Sequence, residues 1–219
     1  QILKDELEKK SLTEYFDMVE LPLVPILVEM EYNGVYVDSN LIGQMSKDIG
    51  GKLDDLKKNI FRLSKKDFNL NSTQQLAIIL FDELDLPMVK KRSTAEDVLK
   101  KLKDYHEIPQ LILDYRKYNK LKNTYLDSLL ELIHHKTSRV HSTFNQTIAA
   151  TGRLSSTKPN FQNIPIRTRE GREVRKAFSA QKRGWKIFSA DYSQVELRIM
   201  AHFSEDKALI DAFNNEEDI

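Results

Sequence analysis

Ile42, Met45, Ile49, Leu53, Leu56, Ile60 and Leu63 recur in steps of three and four residues, and no other feature constrains this chain more. Such a spacing puts seven apolar side chains along one seam of a long α-helix, which must bury that seam against other helices. The seam predicts a helical pair rather than an isolated helix. Gly50-Gly51 in its middle predicts a kink, because each glycine weakens a helix by about 1 kcal/mol relative to alanine.

More helices follow. Ser72 and Gln75 have capping-box spacing ahead of Leu76 to Leu84. Ser93-Thr94 with Glu96 and Asp97 marks a third start, and Pro109 opens a fourth helix running through Leu113, Tyr118, Leu121 and Tyr125 to about Ile133. On the N-terminal side, residues 1–20 read as a charged amphipathic helix. Pro25 then fits the first turn of a short helix reaching Glu29 or Tyr32. Asn33-Gly34 is a turn signal ahead of an extended Val35–Asp38. Past His134-His135, neighbours expected on different faces of a helix, Arg139 to Thr147 is β-rich. The texture changes near residue 137, from helical to sheet-bearing, so the fold class is α+β.

With 40% hydrophobic and 31% charged residues, the composition is that of an ordinary globular chain. Cysteine is absent, which excludes disulfides and thiolate metal sites and suits a reducing cytoplasm. No apolar run approaches the roughly 20 residues that span a bilayer, so no membrane partner is expected. Net charge is +1, but the charge is segregated. From Thr151 to Met200 eleven Lys or Arg face four acids, while the tail from Glu205 onward is acidic. A basic excess beside one or two carboxylates suits a polyanion near a metal, and a solvated basic face reads the same way. Arg116 and Lys120, four apart on the fourth predicted helix, share a face and carry the same ambiguity.

Two stretches hold the candidate chemistry. Thr151-Gly-Arg-Leu-Ser-Ser-Thr-Lys-Pro-Asn-Phe-Gln-Asn-Ile-Pro165 places Arg153, Asn160, Gln162 and Asn163 on an extended loop. Long donors and flat amides suit phosphate oxygens and minor-groove acceptors, or a plain polar surface. Later, the apolar run Trp185 to Ala190 predicts a strand that delivers Asp191 to its end. Ser193 and Glu196 have capping-box spacing for a helix with Val195, Leu197, Ile199 and Met200. A strand-end carboxylate can hold a metal ion or only close a turn.

Taken together, residues 151–165 and Asp191-Tyr-Ser-Gln-Val-Glu-Leu-Arg-Ile-Met-Ala-His202 strongly resemble the family A DNA polymerases. Leu21–Asp38 is similar to the family's approach to the polymerase domain, and Phe68–Leu76 with Tyr115–Tyr125 to its thumb. The resemblance implies residues 1–20 as the end of a preceding exonuclease-like domain or linker, and 21–137 as palm approach and helical thumb. It implies 138–219 as a partial palm with a short antiparallel sheet. The implied reaction is nucleotidyl transfer from a dNTP to a primer 3′-hydroxyl on a primer–template duplex, in DNA replication and repair at the bacterial nucleoid. Asp191 and the Tyr192 carbonyl would face two Mg²⁺ ions. Glu196 would discriminate against a ribose 2′-hydroxyl, and Gln194 and Arg198 would lie near the nucleotide. Arg153, Asn160, Gln162, Asn163 and Arg167 would meet primer and template, and Arg116 and Lys120 the duplex phosphates.

The chain opens on Gln1 rather than Met and holds neither the family's second carboxylate motif nor its fingers helix. It therefore reads as a piece of a polymerase, predicted inactive alone but DNA-binding, with apolar surface able to form a non-native dimer. The alternative is a non-catalytic DNA-binding module derived from a polymerase thumb.

Overall fold

A computed structural model describes residues 2–166 and 168–217. The chain forms two compact units, Gln1–Gln181 and Lys182–Ile219. The class is α+β, as the sequence predicts. Among the described residues no helix is long and apolar enough to cross a membrane.

The first unit opens with α1 (Ile2–Lys9), α2 (Thr13–Tyr15), a widened helical turn at Phe16–Glu20, and α3 (Leu21–Asn33). Helix therefore precedes Pro25 by more than the single turn the sequence suggests. Pro22 and Pro25 lack N–H donors, and the path into them widens, with Leu21 donating back to the Phe16 carbonyl. Gly34 ends α3 at φ 59°, where a Cβ would stand 2.7 Å from His141 Nδ1. The chain can then enter β1 (Val35–Tyr36), and the seam helix α4 (Ser39–Ser64) follows. Asp38 caps α4, accepting from the Asn40 and Leu41 amides at 3.0 and 3.1 Å. Helix α4 runs unbroken through Gly50-Gly51.

The seam divides between two cores. Its C-terminal end, with Ile60, Phe61 and Leu63, packs against α5 (Thr73–Ala77), the widened turn Ile78–Glu83, α6 (Glu96–Leu102) and α7 (Glu107–Lys120). Its N-terminal end, with Ile42, Met45, Ile49 and Leu53, packs with Leu121, Leu126 and Leu129 from the turn Leu121–Asp127 and α8 (Ser128–Leu132). Val140 from β2 (Arg139–Val140) closes the same core, and β2 pairs antiparallel with β1 over 103 positions of sequence distance (Val35↔Val140 spans 105). The strands thus tie the two sides of residue 137 together.

Local chemistry shifts several predicted boundaries. Ser72 Oγ accepts from the Gln75 amide, but the reciprocal bond goes to Asn69 N at 2.7 Å rather than to Ser72 N. The cap of α6 is Ala95, not Ser93 or Thr94, and Ser93 Oγ instead accepts from Ala95 N. The predicted fourth helix is α7, the turn Leu121–Asp127 and α8 in succession, capped by His106 Nδ1 on Ile108 N. Helix α8 ends before His134, so His134 and His135 do not diverge across a helix, and their rings lie 4.8 Å apart.

A second ribbon pairs β3 (Thr143–Asn145) with β4 (Ser155–Thr157), with Phe144 opposite Ser156. After a 3₁₀ turn at Phe161–Asn163 comes α9 (Arg169–Lys176), capped by Thr168 Oγ1 on Gly171 N at 3.0 Å. In the second unit α10 (Val195–Ser204) packs on α11 (Lys207–Asn214). The predicted strand from Trp185 to Ala190 does not form. No described segment pairs with it, and a strand without a ladder leaves its backbone groups to water. Ser193 is no cap either. Gln194, left-handed at φ 51°, occupies that position and makes no side-chain cap bond.

Candidate nucleic-acid groove and carboxylate motif

The loop after β4 holds its shape with its own side chains. Gln162 Oε1 accepts from Ser156 N at 3.1 Å, while its Nε2 donates to the Leu154 carbonyl at 2.6 Å. Asn160 Oδ1 accepts from Gln162 N at 3.0 Å, and the buried Ser156 Oγ accepts from Phe161 N at 3.0 Å. Arg153, Asn160, Gln162 and Asn163 are all exposed. Both ends of the Gln162 amide are engaged in folding the loop, so that residue shapes the surface on which Asn160 and Asn163 stand.

That surface faces the helices. Asn160, Asn163, Pro159 and Ile164 line a groove of about 420 Å³ with Lys120, Thr124, Tyr125 and Leu129. A smaller cleft of about 160 Å³ shares Lys120 and Tyr125 and adds Lys117, Pro165, Thr168 and Glu170. Lys117 pairs with Glu170 at 2.9 Å. Burial alone would raise the Glu170 carboxyl, but hydrogen bonds from Lys117, from its own backbone amide and from Tyr118, with the Lys117 charge, together outweigh it and hold the group below the usual carboxylate range. Lys120 stands exposed where the two hollows meet.

Arg116 sits differently. It donates to the Thr94 carbonyl at 2.6 Å and to Thr94 Oγ1 at 3.3 Å, anchoring the segment ahead of α6. Burial pushes its pKa down from the arginine value, and the guanidinium stays charged. It lines a separate open groove of about 900 Å³ with Asn71, Thr73, Gln74 and Arg92. Although four apart on α7, Arg116 and Lys120 thus line different hollows of the same unit. Arg167 lies outside the described residues.

In the second unit, Asp191 and Tyr192 are exposed in irregular chain ahead of α10, and Glu196 is in its first turn. Arg198 reaches back to donate from Nε to the Ser193 carbonyl at 3.1 Å, and its guanidinium lies 4.5 Å over the Phe213 ring. The contacts of Arg198 are thus with the turn before α10 and with α11.

Compared with known proteins, residues 39–219 match the DNA polymerase family A profile. The chain belongs to DNA polymerase family A. It is 48% identical to DNA polymerase I of Bacillus subtilis (strain 168) over 221 residues, covering 99% of this chain and 25% of that protein. It is 47% identical to the thermostable DNA polymerase I of Thermus aquaticus, covering 92% of this chain and 25% of that one. The POL domain of Pol1 from M. smegmatis, solved in complex with DNA primer-template and dNTP, matches with a TM-score of 0.88 at 42% identity. That match covers 99% of this chain and 39% of the other. The chain spans about a quarter of the length of the curated relatives it matches.

A family A site would be expected to hold magnesium, which takes about six oxygen ligands in near-octahedral geometry. Among the described residues no group of three or more His, Asp or Glu gathers that could hold a metal ion. Asp191 is one carboxylate, and the described residues do not assemble a magnesium site by themselves. One partly buried polar cluster escaped the sequence reading. Lys122 joins Asp127 and Ser46, which is 81 residues away from Asp127. Its signal was a cation and an acid five apart, a spacing that an α-helical reading separates.

Proposed function

We propose that this chain is the thumb and first catalytic motif of a template-directed DNA polymerase, which extends a primer 3′ end with dNTPs. The observation that carries the reading is the groove where Lys120 meets Asn160 and Asn163, in a family A chain. A cation with two flat amides along a cleft can hold a phosphate while meeting minor-groove acceptors. Within that reading 21–137 serve as palm approach and thumb, and 138–219 as the first part of the palm. In the complete polymerase Asp191 supplies one carboxylate, with the Tyr192 carbonyl, to a magnesium site that other residues finish. Glu196 crowds a ribose 2′-hydroxyl, while Gln194 and Arg198 support the nucleotide side. Arg153 meets the primer terminus, Arg167 the template, and Arg116 joins Lys120 toward the duplex.

The test is fluorescence anisotropy of a labelled primer–template duplex with the 219-residue chain, titrated from low to high salt. Binding is expected to be weak and to fall steeply with salt. Lys120→Met should reduce the salt slope by about one, as the loss of one phosphate contact does. No binding at low salt, or a Lys120→Met chain that binds like the original, overturns the reading.

Primer extension by the chain alone is expected to be absent, because no group of three or more His, Asp or Glu that could hold a metal ion gathers among the described residues. Extension by a purified, contamination-free sample would refute this. The same observation favours a second reading, a DNA-binding module without catalysis. An Asp191→Ala substitution in the complete polymerase separates them, abolishing extension only if the motif is catalytic. Exposed apolar side chains on α3 (Ile26, Val28, Met30) and at Ile187 and Phe188 support self-association, read by sedimentation velocity.

A further inference from the structure

We propose that Lys122, Asp127 and Ser46 form a latch that positions the Lys120–Asn163 groove without touching its ligand. The inference rests on the reading of that groove as the duplex site. The Lys122 ammonium donates to Ser46 Oγ at 2.8 Å and to Asp127 Oδ1 and Oδ2 at 2.9 and 2.8 Å. Ser46 Oγ donates in turn to Asp127 Oδ1 at 2.5 Å. Three acceptors meet the three N–H donors of the ammonium, so none is left for a phosphate.

The latch and the shape of the turn depend on each other. Residues five apart lie about 140° round the axis of an α-helix, too far for Lys122 to hold Asp127. The i→i+5 turn Leu121–Asp127 brings them onto one side, where Ser46 of α4 completes the cluster. Tightening that turn to α would rotate everything after it by about 100°, one residue's worth of helix. Leu126 and Leu129 would leave the core they share with Ile42 and Ile49, and Thr124 and Tyr125 would leave the groove. Release of the latch therefore disorders the wall opposite Asn160 and Asn163.

Charge and geometry predict opposite signs for one substitution. Asp127→Asn removes a negative charge, so a purely electrostatic effect would tighten binding to DNA. Positioning requires the reverse. In anisotropy titrations of the 219-residue chain, Asp127→Asn is expected to weaken duplex binding about tenfold, the scale of one charged hydrogen bond. The salt slope should stay unchanged, because no phosphate contact is lost. Lys122→Met should do the same, whereas a phosphate ligand would lose about one unit of slope. Ser46→Ala, which keeps the Lys122–Asp127 pair, should lie between, and covers the case in which the harsher variants fail to fold. Equal or tighter binding by Asp127→Asn overturns the latch. Amide hydrogen exchange gives a readout independent of DNA: the Leu121–Leu126 amides should exchange at least several-fold faster in Asp127→Asn while α6 is unaffected. If the original chain binds no duplex, the DNA reading fails on its own, and unchanged exchange in Asp127→Asn then overturns the latch as well.

Discussion

Between Leu154 and Asn163 the chain is tied by side chains of the same loop, with Gln162 bridging Ser156 to Leu154 and Asn160 holding the Gln162 amide. Between Trp185 and Tyr192 the backbone forms no regular element and pairs with no described strand, and Phe188 is 89% exposed. The first lies within one family motif, and the second leads into the other. The first makes its own structure because its amides and hydroxyls bond locally. The second holds an apolar run whose strand form needs a neighbouring strand. A recognisable motif therefore says what chemistry a segment serves without saying that the segment orders itself.

The largest test of that contrast is a pair of truncations. Ile112→Ala empties a fully buried position in the helical core and should cost about 2–5 kcal/mol in urea unfolding. Phe188→Ala removes a larger side chain and should stay within about 0.5 kcal/mol. Similar losses for both would mean that the apolar run is packed in solution. Next comes Gly171→Ala, whose Cβ would stand 2.5 Å from the Pro165 carbonyl oxygen. Backbone must shift to admit it, at about 1–3 kcal/mol, with the Asn163 side of the groove displaced. A variant that melts like the original would show that the 159–171 segment yields easily.

At the level of single hydrogen bonds, Gln162→Ala should cost about 1–2 kcal/mol, because it strands the Ser156 amide and the Leu154 carbonyl. Ser193→Ala, at a position that caps nothing, should cost none that urea unfolding can resolve. Acid separates the same regions more gently. Burial would raise the Asp127 carboxyl, but hydrogen bonds from Lys122 and Ser46 outweigh it and depress the folded pKa. Its contribution is thus present above the unfolded value of about 3.9 and is lost as pH falls through the lower folded value. Below about pH 4 the original chain should lose more stability than Asp127→Asn, and parallel melting curves would contradict this.

The helical half was largely legible. The three- and four-residue seam gave α4 and its core, because burial on a helix repeats at that period whatever the tertiary detail. Ser72 was legible as a cap because its bond is local. What failed had distant causes. Pairing of β1 with β2 depends on residues a hundred positions apart, and the missing strand before Asp191 depends on a neighbour that no local pattern encodes. The widened turns at 16–20, 78–83 and 121–127 hide inside helical periodicity. Arg116 and Lys120 matched the family pattern, yet only the folded chain separates the one that holds Thr94 from the one that faces the Asn160–Asn163 groove.

The smallest prediction turns on backbone conformation alone, and it again sets the two units side by side. Gly51, inside α4, and Gly184, ahead of Trp185, both have open space where a Cβ would go. Sterics therefore permit alanine at both. Gly51 is helical, and alanine there removes the excess freedom of the unfolded glycine, so Gly51→Ala should stabilise by up to about 1 kcal/mol. Gly184 has φ +85°, where an L side chain is strained, so Gly184→Ala should not stabilise and should disturb the 182–185 turn. Urea midpoints of the two variants, with amide chemical shifts around each site, read both outcomes. A stabilising Gly184→Ala would show that the turn before the Asp191 motif relaxes to negative φ in solution.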